Sequence, residues 1–229
     1  SASDSLLARW RPPGQCEVCR CWAERAVCDD CRAQHARPIP RCTRCALPLA
    51  SGQRLCGACQ TEPPPYERAV CVADYGFPWD RLLADFKLHG RVALAAALAA
   101  PLGDALGDAA AWPDRIVPVP LAPRRLRERG YNQAWELARR IARRFGRRAD
   151  AGVLQRPIDG APQAGLDRHQ RQRAMRGAFI VAPGAAVGGE RIAVIDAGLR
   201  TGATGAAAAN ALLGARAAAV QVCVIARTP

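Results

Sequence analysis

The chain has 229 residues, half of them hydrophobic and 23% charged, which excludes a disordered protein and fits one medium domain or a small domain joined to a larger one. Its formal net charge of +13 points to polyanionic partners such as phosphates or nucleic acid. No stretch offers the roughly 20 uninterrupted apolar residues of a membrane span, and the N-terminus lacks a signal-peptide layout, so no membrane span and a cytoplasmic, reducing location are expected.

In chain order, the first signal is cysteine. Nine of the 11 cysteines lie between Cys16 and Cys59. Eight form four Cys-x-x-Cys pairs: Cys16/Cys19, Cys28/Cys31, Cys42/Cys45 and Cys56/Cys59. Two intervening residues let both sulfurs of a turn face one ion, and two such turns complete a tetrahedral Zn2+ site. Eight ligands make two sites. The spacing allows sequential and crossed pairings alike. Four thiolates leave no open coordination position, so both Zn2+ sites are read as structural. Cys71 and Cys223 fall in apolar strands and read as small buried hydrophobes. Residues 1–60 are too poor in apolar runs to fold without such a staple. Residues 61–68, with Pro63-Pro64-Pro65, read as a stiff linker, and 69–229 as a larger domain.

There the pattern alternates. Strands are expected at 69–75, 115–119, 178–181, 191–196 and 217–226, and helices at 79–89, 92–106 (with a kink at Pro101), 132–145 and 202–213. Residues 160–177 read as a loop. Such alternation implies an α/β fold with a mostly parallel sheet. Between Arg124 and Arg148 stand ten Arg against Glu128 and Glu136. Arg139, Arg140, Arg143 and Arg144 fall on the polar side of one helix and read as a solvated face. Those directly after Pro118-Val119-Pro120 read as functional. Of the 33 basic residues 32 are Arg and only Lys87 is Lys, so many arginines reflect compositional bias.

The last signal is Ile192-Ala193-Val194-Ile195-Asp196, then a short turn, then Thr201-Gly202-Ala203-Thr204. A buried strand ending in an acid, followed by a Thr/Gly turn that opens a helix, can cradle a phosphate. The helix N-terminus favours an anion, and Gly202 lets the backbone approach.

Together with Phe86–Arg91, Val117–Leu121, Arg127–Ala134, Gln163–Leu166 and Arg176–Phe179, these motifs make the chain resemble ComF-family proteins from about Cys16 onward. The resemblance implies an N-terminal double zinc ribbon followed by a type I phosphoribosyltransferase-like parallel sheet flanked by helices. It also implies a role in DNA uptake during natural transformation. By resemblance, Asp196, Arg200, Thr201, Gly202, Ala203 and Thr204 would hold phosphoribosyl pyrophosphate (PRPP) or a related phosphate, with Mg2+ bridging ligand oxygens. Val119, Pro120 and Leu121, with Arg127, Arg129 and Asn132, resemble the pyrophosphate loop and its basic group. Arg168, Arg171, Arg173 and Arg176 lie in a segment resembling a mobile hood. The pattern departs at Ala197, where a second acid is expected, at Gly198 and at Arg200. The lost acid removes a ribose-hydroxyl acceptor, and the added Arg either keeps phosphate affinity or replaces specific readout with plain charge. Three roles follow: a DNA-uptake factor binding PRPP and single-stranded DNA, an active PRPP-dependent phosphoribosyltransferase, or a non-catalytic adaptor that docks a helicase or uptake motor.

Overall fold

The computed structural model describes residues 14–107, 113–157 and 177–229. Two of the cysteine pairs fold into the same turn, bond for bond. In one, the Cys16 N–H donates to Cys21 O at 2.8 Å and the Arg20 N–H to Cys16 O at 2.9 Å. In the other, the Cys42 N–H donates to Leu47 O and the Ala46 N–H to Cys42 O, both at 2.8 Å. Each turn puts a non-glycine residue in the left-handed region, Arg20 at φ 65° and Ala46 at φ 59°. That conformation costs about 1–2 kcal/mol per residue. β1 (Gly14–Gln15) and β2 (Trp22–Ala23) flank the first turn as an antiparallel pair. Cys28 caps α1 (Asp29–His35), its sulfur accepting from the Cys31 N–H at 3.4 Å. Cys56 precedes α2 (Gly57–Thr61).

The larger region is built on five strands: β3 (Arg68–Asp74), β4 (Arg115–Pro118), β5 (Arg148–Ala149), β8 (Arg191–Leu199) and β9 (Ala219–Arg227). They form one parallel sheet in the order β3-β9-β8-β4-β5. A separate antiparallel pair joins β6 (Leu154–Gln155) and β7 (Ile180–Val181). β9 is buried at all nine positions, because neighbours cover both faces; its sequence accordingly runs apolar without alternation. From Ile192 to Ala197 alternate β8 residues feed opposite cores, and Leu199 breaks the alternation. Ala193, Ile195 and Ala197 join the core beneath α3 (Trp79–Leu88), α4 (Leu94–Leu106) and α6 (Gln133–Arg144). Ile192, Val194 and Leu199 join the core beneath α7 (Ala203–Gly214). No helix among the described residues is long and apolar enough to cross a membrane.

α4 spans Leu94–Leu106 with Pro101 inside it, as expected of a single helix there. Two other elements depart from the expected pattern in ways that bear on the site. α5 (Pro123–Arg129) buries no residue, so it carries no apolar stripe that periodicity could detect. β8 continues three residues past Asp196, because Gly198 and Leu199 pair with Ala226 and Arg227 of β9. The turn between β8 and α7 is therefore only Arg200–Gly202. Much of the loop expected at 160–177, including Arg168, Arg171, Arg173 and Arg176, lies outside the described residues.

The two cysteine units dock differently. Cys16, Val27 and Cys31 of the first belong to the core beneath α3 and α4. The Trp79 Nε1–H donates to His35 O at 2.6 Å, and Arg32 pairs with Asp104 and Arg91 with Glu17 across the junction. The second forms its own cluster of Cys42, Cys56 and Cys59 with Cys45, Leu47, Leu49 and Leu55.

Candidate phosphate site and metal clusters

The fold brings the cysteine pairs together sequentially: Cys16, Cys19, Cys28 and Cys31 in one group, Cys42, Cys45, Cys56 and Cys59 in the other. Within each group all four sulfurs lie within 4.8 Å of one another. A tetrahedron with 2.3 Å Zn–S bonds has S···S edges of about 3.8 Å. Cys19 and Cys28 approach to 3.7 Å, and Cys45 and Cys56 to 3.6 Å, so both groups fit a metal ion. Burial alone would raise the Cys16 thiol, but backbone N–H groups of Cys28, Cys19 and Val18 outweigh it and bring the thiol down to about 6. Burial likewise opposes ionisation at Cys42, where N–H groups of Cys56, Cys45 and Arg44 bring it down to about 7. Burial and neighbouring sulfurs push Cys31 and Cys59 the other way. Within each group the sulfurs oppose one another's ionisation, a conflict that a bound divalent cation would resolve.

At the C-terminal end of β8 the turn into α7 closes around a cavity of about 110 Å3, lined by Gly198–Thr204. Gly202 caps α7 at φ 82° and has no side chain to satisfy the first-turn N–H groups. Thr201 Oγ1 accepts from the Ala203 N–H at 3.4 Å, and Thr204 lies half-buried in the first turn. The turn thus sets backbone amides and two threonine hydroxyls around the cavity, a candidate cradle for an anion, and Arg200 stands exposed at its rim.

Asp196 lies half-buried beside the cradle, its Oδ1 accepting from the Ala197 N–H at 2.6 Å. Burial pushes its carboxyl up, with Lys87 opposing. Lys87, near the end of α3, aims its ammonium at the same place: a Cβ built on Gly198 would lie 3.6 Å from Nζ. Burial pushes the ammonium down, with Asp196 opposing. Lys87 makes no hydrogen bond or ion pair with any described residue. A lysine and an aspartate thus face each other without touching, leaving a gap with a cation on one side and an acceptor on the other. Arg129 completes the group. It is half-buried, its Nη1 donates to Gln133 Oε1 at 2.6 Å, and Asp196 stabilises its charge against desolvation.

Other expected site residues take different positions. Asn132 is occupied structurally: its Oδ1 caps α6 through the Ala134 and Trp135 N–H groups, and its Nδ2 donates to Val119 O at 3.1 Å. The Val119 N–H donates to Ile195 O, and Pro120 has none, so Leu121 is the one residue of that trio with an amide to offer a ligand. Arg127 is exposed and makes no bond with any described residue. Ala197 is wholly buried in the apolar core and offers a ligand nothing. The sequence reading assigns Lys87 no site role, although it lies in the Phe86–Arg91 motif and is the only lysine in an arginine-rich chain, the two signals that identify it.

A larger cavity of about 700 Å3 opens from the same turn toward the second cysteine group. Its walls include Leu199–Ala203, α7, Phe179, Pro63–Pro65 and Cys59.

No family model matches the chain. Among curated proteins it is 34% identical over 225 residues to the DNA utilization protein YhgH of Salmonella typhimurium, covering 94% of this chain and 98% of that one. Its counterpart in Escherichia coli K12 matches to the same extent. Competence protein F of Haemophilus influenzae is 28% identical over 188 residues, covering 80% of this chain and 82% of that one. The chain belongs to the ComF family. Like the family, it sets a type I phosphoribosyltransferase-like parallel sheet, flanked by helices, behind two four-cysteine groups. Among solved structures, this ComF-family chain is similar to a glutamine PRPP amidotransferase from B. subtilis. The identity is 20% and the TM-score 0.37, covering 58% of this chain and 25% of that one. It is also similar to TT1426 of Thermus thermophilus, with 18% identity, 59% and 83% coverage and a TM-score of 0.37.

Proposed function

We propose that this protein acts in the cytoplasm in DNA uptake during natural transformation, through a phosphoribosyltransferase-type site that binds PRPP or a related phosphate with Mg2+. Residues 1–60 serve as a double zinc ribbon, 61–68 as a linker and 69–229 as the ligand-binding domain. The observation that carries the reading is the phosphate-sized cradle at Gly198–Thr204 with Asp196, Lys87 and Arg129 converging beside it. The cradle holds the 5-phosphate, Asp196 accepts from a ribose hydroxyl, and Lys87 and Arg129 face the diphosphate. Mg2+, when bound with the ligand, would supply positive charge that offsets that of the diphosphate. The relatives named for DNA utilization and competence support the cellular role. Isothermal titration with PRPP and Mg2+ tests the reading. Binding that weakens in Thr201→Ala is expected; absence of heat with the wild-type chain sinks it.

A second reading, single-stranded DNA binding, is favoured by Arg125, Arg127, Arg143 and Arg147. All four are exposed, and none pairs with a carboxylate among the described residues. It requires affinity for an oligonucleotide that falls steeply with added salt. Affinity that ignores salt, or survives Arg125→Ala with Arg127→Ala, counts against it. Ala197 and its apolar surroundings argue against efficient transfer chemistry, because a second strand-end acid is lacking.

A further inference from the structure

Arg227 ends β9 and is buried, yet no Asp or Glu among the described residues pairs with it. Its bonds go to backbone carbonyls of two different regions. Nε donates to Cys45 O at 3.2 Å. Nη1 donates to Leu199 O at 3.4 Å, to Arg200 O at 2.5 Å and to Thr228 O. One planar guanidinium therefore grips the backbone of a metal-ligand residue and the backbone that leads into the phosphate cradle. Tyr66 fills the same junction: its Oη lies 3.4 Å from where a Cβ on Gly202 would sit, and its ring 3.5 Å from the corresponding point on Gly205.

Charge sharpens the geometry. Burying a guanidinium without an anion is unfavourable, and carbonyl dipoles compensate only in part. A divalent ion held by four thiolates carries a net charge of −2, and Cys45 is one of those four ligands. The metal centre is thus the counter-charge that the buried cation lacks. We infer that Arg227 is a positioning residue that couples the second four-cysteine site to the phosphate cradle. An ion at Cys42, Cys45, Cys56 and Cys59 holds Cys45 O and the cation in place, and the cation in turn fixes Leu199 and Arg200. The first four-cysteine group has no such connection among the described residues; it packs beneath α3 and α4. By reciprocity, an anion in the cradle tightens metal retention at the second site and leaves the first unaffected. The coupling extends beyond the PRPP reading and requires no particular ligand, so it can be tested without one.

The test is hydrogen exchange of the full chain in the zinc-loaded state, comparing residues 199–205 with residues 191–196 as an internal control. Native mass spectrometry gives the metal count. Arg227→Gln is expected to keep both ions and to raise exchange at 199–205 by about tenfold, within the usual range of coupling between sites. Cys56→Ser, which loses the second ion, is expected to produce the same rise, and Cys19→Ser, which loses the first, to leave the segment within about twofold of wild type. The double variant Arg227→Gln with Cys56→Ser is expected to exchange no faster than either single one. The inference is overturned if 199–205 exchanges at the wild-type rate in Arg227→Gln, or if the two single effects multiply. If Arg227→Gln also speeds 191–196, Arg227→Lys decides. It keeps the charge but cannot span both carbonyls, so a wild-type rate at 199–205 overturns the positioning role and a raised rate supports it.

Discussion

Cys16 and Cys31 of the first metal group belong to the apolar core that α3, α4 and α6 share with the sheet, whereas Cys42, Cys56 and Cys59 of the second form a separate small cluster. Both groups use the same turn, with matching backbone bonds and a left-handed residue after the second cysteine. Local sequence decides that turn; what it packs against decides its use. The first group is an extension of the core and serves stability. The second touches little of the core and instead borders the phosphate cradle through Arg227 and Tyr66.

The largest expected effect separates the two groups directly. Cys31→Ser should abolish cooperative melting, since a structural zinc contributes on the order of 10 kcal/mol and its loss here opens the main core. Cys42→Ser should lose one ion and still show a cooperative transition from the sheet. Calorimetry with metal counting checks this, and identical melting of the two variants would break the comparison. Next comes Lys87→Ala. Losing a charged contact of about 1.5–3 kcal/mol should weaken PRPP–Mg2+ binding by one to two decades in titration, with no change in melting. Trp79→Phe removes the bond to His35 O and should cost about 1 kcal/mol in urea unfolding, with PRPP binding unaltered. The smallest effect is expected for Asp104→Ala. It removes partly exposed ion pairs with Arg32 and Arg144, worth about 0.5–1 kcal/mol in all, and should leave metal content at two.

Much of this molecule is legible in its sequence because the signals are local. Four Cys-x-x-Cys pairs announce two groups of four sulfurs, and the apolar strand and Thr/Gly turn announce the passage from β8 into α7. What depends on distant partners is not legible. β8 runs on to Leu199 only because β9 offers Ala226 and Arg227 to pair with. α5 gives no periodic signal because it buries nothing. Asn132, read from sequence as a site residue, also caps α6 and holds Val119, a bond between two segments that the sequence does not show. The four arginines of α6 read as a solvated face, yet Arg139 and Arg140 share Glu136 and Arg144 reaches Asp104. Arg227 shows nothing in sequence beyond ending an apolar run. Its significance comes from Cys45, 182 residues earlier.

The strand order has a consequence for synthesis. β9, made after both of its neighbours, inserts between β3 and β8 and supplies partners to both. Until it emerges from the ribosome, two long apolar strands have open edges, the configuration most prone to pairing with other chains. The metal groups, being local, can close while the sheet waits. A nascent chain of this protein therefore holds folded cysteine turns beside an incomplete sheet, and its exposure to aggregation lasts until β9 is made.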